Sequence, residues 1–143
     1  MASKMLHTCL RVENLEKSIA FYQDAFGFKE LRRRDFPDHA FTIVYLGLEG
    51  DDYELELTYN YDHGPYVVGD GFAHIALSTP DLEALHQEHS AKGYEVTEPN
   101  GLPGTAPTIT LSKTLMDIRS KSFVKNNLLK SSRMFVFYLT FFS

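Results

Sequence analysis

Two histidines and a glutamate are the residues of this 143-residue chain whose types and spacing could do chemistry. His7 and His74 open two similar segments, His7-Thr-Cys-Leu-Arg-Val-Glu-Asn-Leu-Glu and His74-Ile-Ala-Leu-Ser-Thr-Pro-Asp-Leu-Glu, set 67 residues apart. Leu10/Leu77, Leu15/Leu82 and Glu16/Glu83 coincide, as do the helix-capping types Asn14 and Asp81. Glu56 sits in the alternating stretch Tyr53-Glu-Leu-Glu-Leu-Thr-Tyr-Asn60. Neutral imidazole nitrogen and carboxylate oxygen suit borderline divalent cations such as Zn²⁺, Ni²⁺ or Co²⁺. A lone histidine on a strand is ordinarily just a polar residue. Two at equivalent positions of a repeat make a ligand role worth pursuing.

The elements that must hold these groups read the same way in both copies. A repeat of this length means a supersecondary unit used twice. In the first copy His7 to Val12 alternates as a strand. Asn14 caps a helix whose Leu15, Ile19, Tyr22 and Phe26 share one face, and Gly27 ends it in the left-handed conformation. Strands follow over Leu31–Phe36, Phe41–Leu48 and Tyr53–Tyr59, with Gly50-Asp51-Asp52 as a turn. The unit is β-α-β-β-β. In the second copy His74 to Ser78 is a strand, Asp81 caps a helix faced by Leu82 and Leu85, and Gly93 ends it. Tyr94–Thr97 reads as a strand and Glu98–Pro107 as a Pro/Gly loop, with two more strands required beyond it. The expected class is α+β, built from two such modules.

Alternation decides which residues share a face. Leu55 and Leu57 should pack on the helix, which leaves Glu54, Glu56, Thr58 and Asn60 on the opposite, polar side. His7, Cys9 and Arg11 share that side of the first strand, and His74, Ala76 and Ser78 that of its repeat. Two histidines and Glu56 can therefore stand on the helix-free faces. Arg32-Arg33-Arg34 reads as a solvated strand edge rather than a phosphate clamp. His86 and His89 read as solvated residues on an exposed helix face. Cys9 has no thiolate-stabilising neighbour in sequence, which argues against a nucleophile. No phosphate-binding glycine loop and no nucleophile elbow occur.

Composition narrows the partners. The hydrophobic content of 43% and charged content of 23% are those of an ordinary globular domain. A net charge of −5 disfavours nucleic acid. The single cysteine excludes an internal disulfide and suits a reducing compartment. With no signal-peptide pattern at Met1-Ala2-Ser3-Lys4, a cytoplasmic location without membrane insertion is expected. Charge is unevenly spread, however. Residues 1–107 hold 8 Lys+Arg against 18 Asp+Glu, whereas residues 108–143 hold 6 against one, Asp117.

Residues 5–78 resemble a bacterial glyoxalase I of the vicinal-oxygen-chelate superfamily. The resemblance is carried by Leu6-His-Thr-Cys-Leu-Arg-Val-Glu-Asn-Leu-Glu-Lys-Ser-Ile-Ala-Phe-Tyr22, Glu56-Leu-Thr-Tyr-Asn60 and Gly71-Phe-Ala-His-Ile-Ala-Leu-Ser78. It implies cupped mixed sheets paired across a homodimer, acting on a small-molecule substrate. It makes His7, Glu56 and His74 metal ligands, with Glu56 also a catalytic carboxylate, and places Arg11 and Asn60 against glutathione. The implied cofactor is a divalent metal, nickel in the compact bacterial type, with cobalt or zinc as alternatives. The implied reaction turns the hemithioacetal of methylglyoxal and glutathione into S-D-lactoylglutathione. The competing readings are a related metal-dependent thiol transferase or dioxygenase, and a metal-free small-molecule binder like the antibiotic-sequestering relatives. Glu56-Leu-Thr-Tyr-Asn60 argues against the transferase or dioxygenase.

The C-terminus departs from that family. A fourth ligand, a glutamate in a segment like Asp-Pro-Asp-Gly-Tyr-Lys-apolar-Glu-apolar, should fall near Ser120 or Lys121. Read in the frame that starts at the third base of the Met116 codon, Met116-Asp117 forces a glycine codon. With permitted codons, Thr108 to Val124 then becomes Asn-Tyr-Phe-Val-Lys-Asp-Pro-Asp-Gly-Tyr-Lys-Val-Glu-Val-Ile-Arg. The chain thus reads as shifted in frame near Pro107-Thr108. On this reading residues 1–125 are the glyoxalase-like domain, with module one at 4–60 and a perturbed module two at 72–125. Residues 126–143 are an aberrant basic and apolar tail, expected to be poorly ordered or only loosely packed because it lacks capping, turn chemistry and a consistent period. A genuine basic amphipathic extension is the alternative. Met134-Phe-Val-Phe-Tyr-Leu-Thr-Phe-Phe142 is β-prone and uncharged, an aggregation hazard.

Overall fold

A computed structural model describes residues 2–67, 74–100, 110–111, 118–124 and 135–141, with side chains over 2–67 and 75–100. The chain divides into two compact units, Met1–Tyr66 and Val67–Ser143. Both are mixed α+β.

The first unit runs β1 (His7–Arg11), α1 (Leu15–Phe26), β2 (Lys29–Phe36), a short 3₁₀ turn (Pro37–His39), β3 (Phe41–Gly47) and β4 (Glu54–Asn60). Its sheet has the order β1-β4-β3-β2, with β1 parallel to β4 and the other pairs antiparallel. Helix α1 starts where the Asn14 side chain accepts from the Lys17 backbone N–H at 3.0 Å. It stops at Gly27, whose φ of 72° is costly for a residue with a Cβ. Leu15, Ile19, Tyr22 and Ala25 are buried with Val12, Val44, Leu46, Leu55 and Leu57. Phe26 of the expected stripe is only half-buried. Each fully buried aliphatic or aromatic side chain contributes about 1.5–3 kcal/mol, so this core fixes which face of the sheet meets the helix. The other face is left polar.

The second unit runs β5 (His74–Thr79), α2 (Leu82–Ala91), β6 (Thr110–Leu111), β7 (Ile118–Val124) and β8 (Phe135–Phe141). Its sheet order is β5-β8-β7-β6, and every pair is antiparallel. Asp81 caps α2 by accepting from the Ala84 N–H at 3.0 Å, and Gly93 follows the helix at φ 79°.

Three expectations change here. The segment Tyr94–Thr97 forms only an isolated bridge at Val96, because the four-stranded sheet is completed from the C-terminal side. Second, a strand lies beyond residue 126, where the sequence showed no consistent period. The run Phe135–Phe141 becomes β8, as its aromatic and branched residues favour. Third, His89 is fully buried rather than solvated. It lies seven residues after Leu82, two helical turns along the packed face, and its ring meets Tyr94 edge-on at 5.5 Å. The expected loop from 101 to 107 and the shifted-frame positions 108–109 and 112–117 lie outside the described residues.

Candidate metal centre

The parallel register of β1 on β4 sets His7 against Glu54, Cys9 against Glu56 and Arg11 against Thr58. Across the next pair, Tyr45 of β3 stands opposite Glu56. These residues form the helix-free face, because Leu55, Leu57, Val44 and Leu46 are taken by the core. The structure brings two of the three expected ligands together. His7 Nε2 lies 3.3 Å from Glu56 Oε2.

The two groups differ in setting. His7 is exposed, whereas Glu56 is buried at 8% relative exposure. Burial alone would raise the Glu56 carboxyl pKa. Hydrogen bonding with Cys9, Tyr45 and Thr58 and the nearby His7 outweigh it, so the group is held below the usual carboxylate range. The Thr58 hydroxyl donates to Glu56 Oε1 at 2.9 Å, which leaves Oε2 directed at His7. Burial pushes the Cys9 thiol up, helped by Glu56, so it stays protonated and a poor nucleophile.

Arg11 is exposed on the same face. Asn60, four residues beyond Glu56, donates its side-chain N–H to Tyr66 Oη at 2.8 Å. His74 opens β5 in the second unit, and its side chain lies outside the described residues. Among the described residues, no group of three or more His, Cys, Asp or Glu side chains could hold a metal. Alternation placed His7, Glu56 and Thr58 on the polar faces in the sequence but missed Tyr45, which was reachable because it alternates with Val44 and Leu46.

A cavity of about 320 Å³ lies at the start of α1 among Glu13, Glu16, Arg33, Thr42, Tyr59 and Tyr61. Several of its polar groups are already paired. Arg33 pairs with Glu16 at 2.7 Å, and Thr42 meets Asp35 at 2.6 Å and Tyr61 at 2.8 Å.

Comparison with known proteins decides the family. The sequence pattern of the Glyoxalase/Bleomycin resistance protein/Dioxygenase superfamily matches residues 4–117. The chain belongs to this superfamily. It is 41% identical over 100 residues to a lactoylglutathione lyase of Neisseria meningitidis, covering 68% of this chain and 72% of that one. A lactoylglutathione lyase of Haemophilus influenzae is 35% identical over 130 residues, covering 90% and 96%. A lactoylglutathione lyase of Arabidopsis thaliana is 40% identical over 113 residues, 77% of this chain, and the chain spans only 40% of that plant protein's length. Among solved structures, the trypanothione-dependent glyoxalase I of Leishmania major matches with a TM-score of 0.64 and 32% identity. That match covers 76% of this chain and 78% of the other. An antibiotic-binding protein of Streptomyces, 21% identical with a TM-score of 0.57 over 88% of this chain and 89% of that one, shares the fold alone.

Proposed function

We propose that this chain is a lactoylglutathione lyase polypeptide with little activity in its present form. In this reading His7 and Glu56 hold a divalent cation, nickel by preference over cobalt or zinc, with His74 as a third ligand. The observation that carries the reading is the approach of His7 to Glu56 on the open sheet face, in a chain so similar to proteins named lactoylglutathione lyase. The donors fit the group. An imidazole nitrogen and a carboxylate oxygen 3.3 Å apart would be two donors suited to a borderline divalent cation.

Such an ion would supply charge stabilisation for the oxygens beside the migrating proton. The chain's own residues do the rest. Arg11 offers a cation to a carboxylate of the glutathione moiety, and Asn60 offers its amide. The reaction breaks one C–H bond and forms another on the adjacent carbon, so a carboxylate must take and return a proton. Glu56 is the carboxylate in place, but a pKa held below the ordinary range makes it a better ligand than base. A second carboxylate is needed, and the shift in frame near Pro107-Thr108 removes the one the family motif would bring. A homodimer in the cytoplasm completes this reading.

The test is hemithioacetal isomerisation with added Ni²⁺, together with the metal content of the protein as purified. Specific Ni²⁺ binding that Glu56→Gln abolishes is the expected result. A protein that binds no divalent metal but retains a small organic ligand would replace this reading with a metal-free binder.

A further inference from the structure

One row of side chains crosses all four strands of the first sheet: Cys9, Glu56, Tyr45 and Arg32 are successive register partners. Arg32 owes its place there to an irregularity. Glu30 pairs with Leu46, and the next pairing, with Tyr45, skips Leu31 and falls to Arg32. An extra residue of this kind re-aims the side chains that follow it. Without it, Leu31 would face Tyr45. The bulge is matched across the ladder, since a Cβ on Gly47 would come within 2.6 Å of Leu31 Cδ1. Glycine there leaves room for the displaced leucine.

The re-aimed guanidinium lies over the Tyr45 ring, 3.7 Å from its centroid. The same group grips Glu54 with both terminal nitrogens, at 2.6 Å for Nη2–Oε2. A two-point grip on a carboxylate fixes the planar guanidinium, and so the ring beneath it. The edge of that ring contact is His7, centroid to centroid at 5.6 Å with an interplanar angle of 81°. Tyr45 also stands directly opposite Glu56 across the β3–β4 pair, on the same face of the sheet.

We infer that Tyr45, clamped by Arg32 and Glu54, is a positioning residue that orients both His7 and Glu56 for the cation. This rests on the metal-site reading above. Groups behind a ligand that fix its orientation are commonly worth 10–100-fold in metal affinity.

The experiment is a Ni²⁺ titration of the full chain by calorimetry, alongside thermal unfolding, for the wild type, Tyr45→Phe, Arg32→Gln and Glu56→Gln. The expected result is a 10–100-fold weaker Kd for Tyr45→Phe and for Arg32→Gln, with the unfolding midpoint of Tyr45→Phe unchanged. Tyr45→Phe keeps the ring and loses only the hydroxyl, so a purely structural role would leave its Kd alone. Wild-type affinity in Tyr45→Phe, with binding lost in Glu56→Gln, overturns the positioning role and leaves the metal site standing. Weakening in Tyr45→Phe but not in Arg32→Gln overturns the clamp. No Ni²⁺ binding by the wild type overturns the metal site itself, and this inference falls with it.

Discussion

In the first unit β4 lies parallel beside β1, whereas in the second β8 lies antiparallel beside β5 and β7 stands one strand farther out. The strand beside β1 brings Glu54 and Glu56 opposite His7 and Cys9. The strand beside β5 brings Thr140 and Tyr138 opposite His74 and Ala76, and β8 contains no acid. Two halves that share a histidine, a cap and a helix thus differ in the strand beside that histidine. A histidine at a repeat-equivalent position is not enough to make a ligand pair, because its partner comes from the neighbouring strand.

The largest effect should come from undoing that difference. Replacing Thr108 to Ser143 by the shifted-frame text through its last arginine would introduce Asp-Pro-Asp-Gly-Tyr and the downstream glutamate that the proposed function requires. An anchored proton-transferring carboxylate is commonly worth about 10²–10⁴ in rate. The Ni²⁺-supplemented isomerase assay should rise by that factor over the present chain. Equal turnover by the two proteins would falsify the role assigned to the lost glutamate and point to another group such as Asp117.

Next in size is the loss of β8 itself. Phe137→Pro removes a backbone donor from a strand paired on both sides, where proline is poorly tolerated. Amide exchange over His74–Thr79 should then quicken sharply while His7–Arg11 keeps its protection. Unchanged protection in β5 would show that β8 is not its partner in solution.

Leu57→Ala probes the first unit in the same spirit. Leu57 is fully buried between the sheet and α1, so truncation should cost about 2–5 kcal/mol in denaturant unfolding. A cost below 1 kcal/mol would mean that this core is looser than its packing shows.

The first unit was legible in the sequence almost throughout, because each signal there is local and the signals agree. Asn14 and Gly27 bracket α1, and the alternation of β4 separates leucines from carboxylates. The polar face followed from that period, which made His7 and Glu56 compatible as neighbours, whereas their pairing was implied by the family resemblance. The bulge at Leu31 was not legible, since an extra residue in a strand leaves no mark on local propensity and shows only in cross-strand pairing. It carried Arg32 onto the site face of an edge strand whose arginines are solvent-exposed, as the sequence reading expected. His89 was misjudged because a polar residue on the packed face of a helix breaks the hydrophobic pattern used to find that face. In the second unit the local signals stop agreeing after Gly93. The β-prone run at 135–141 was visible as a hazard, but strand pairing depends on contacts distant in sequence.

The smallest effect gives the most even comparison, because it sits where the two units are still alike. Asn14 and Asp81 cap their helices by the same bond, a side-chain oxygen accepting from the N–H three residues on, each at 3.0 Å. Replacing such a cap by alanine typically costs about 1 kcal/mol. Asn14→Ala and Asp81→Ala should therefore each lower the stability of the unit that carries it by about that amount. Site-resolved hydrogen exchange separates the two: Asn14→Ala should speed exchange in α1 and β4, and Asp81→Ala in α2 and β5. An Asp81→Ala change with no effect on α2 would mean that the second helix is held by something other than its cap. The likeness of the two units would then end at sequence.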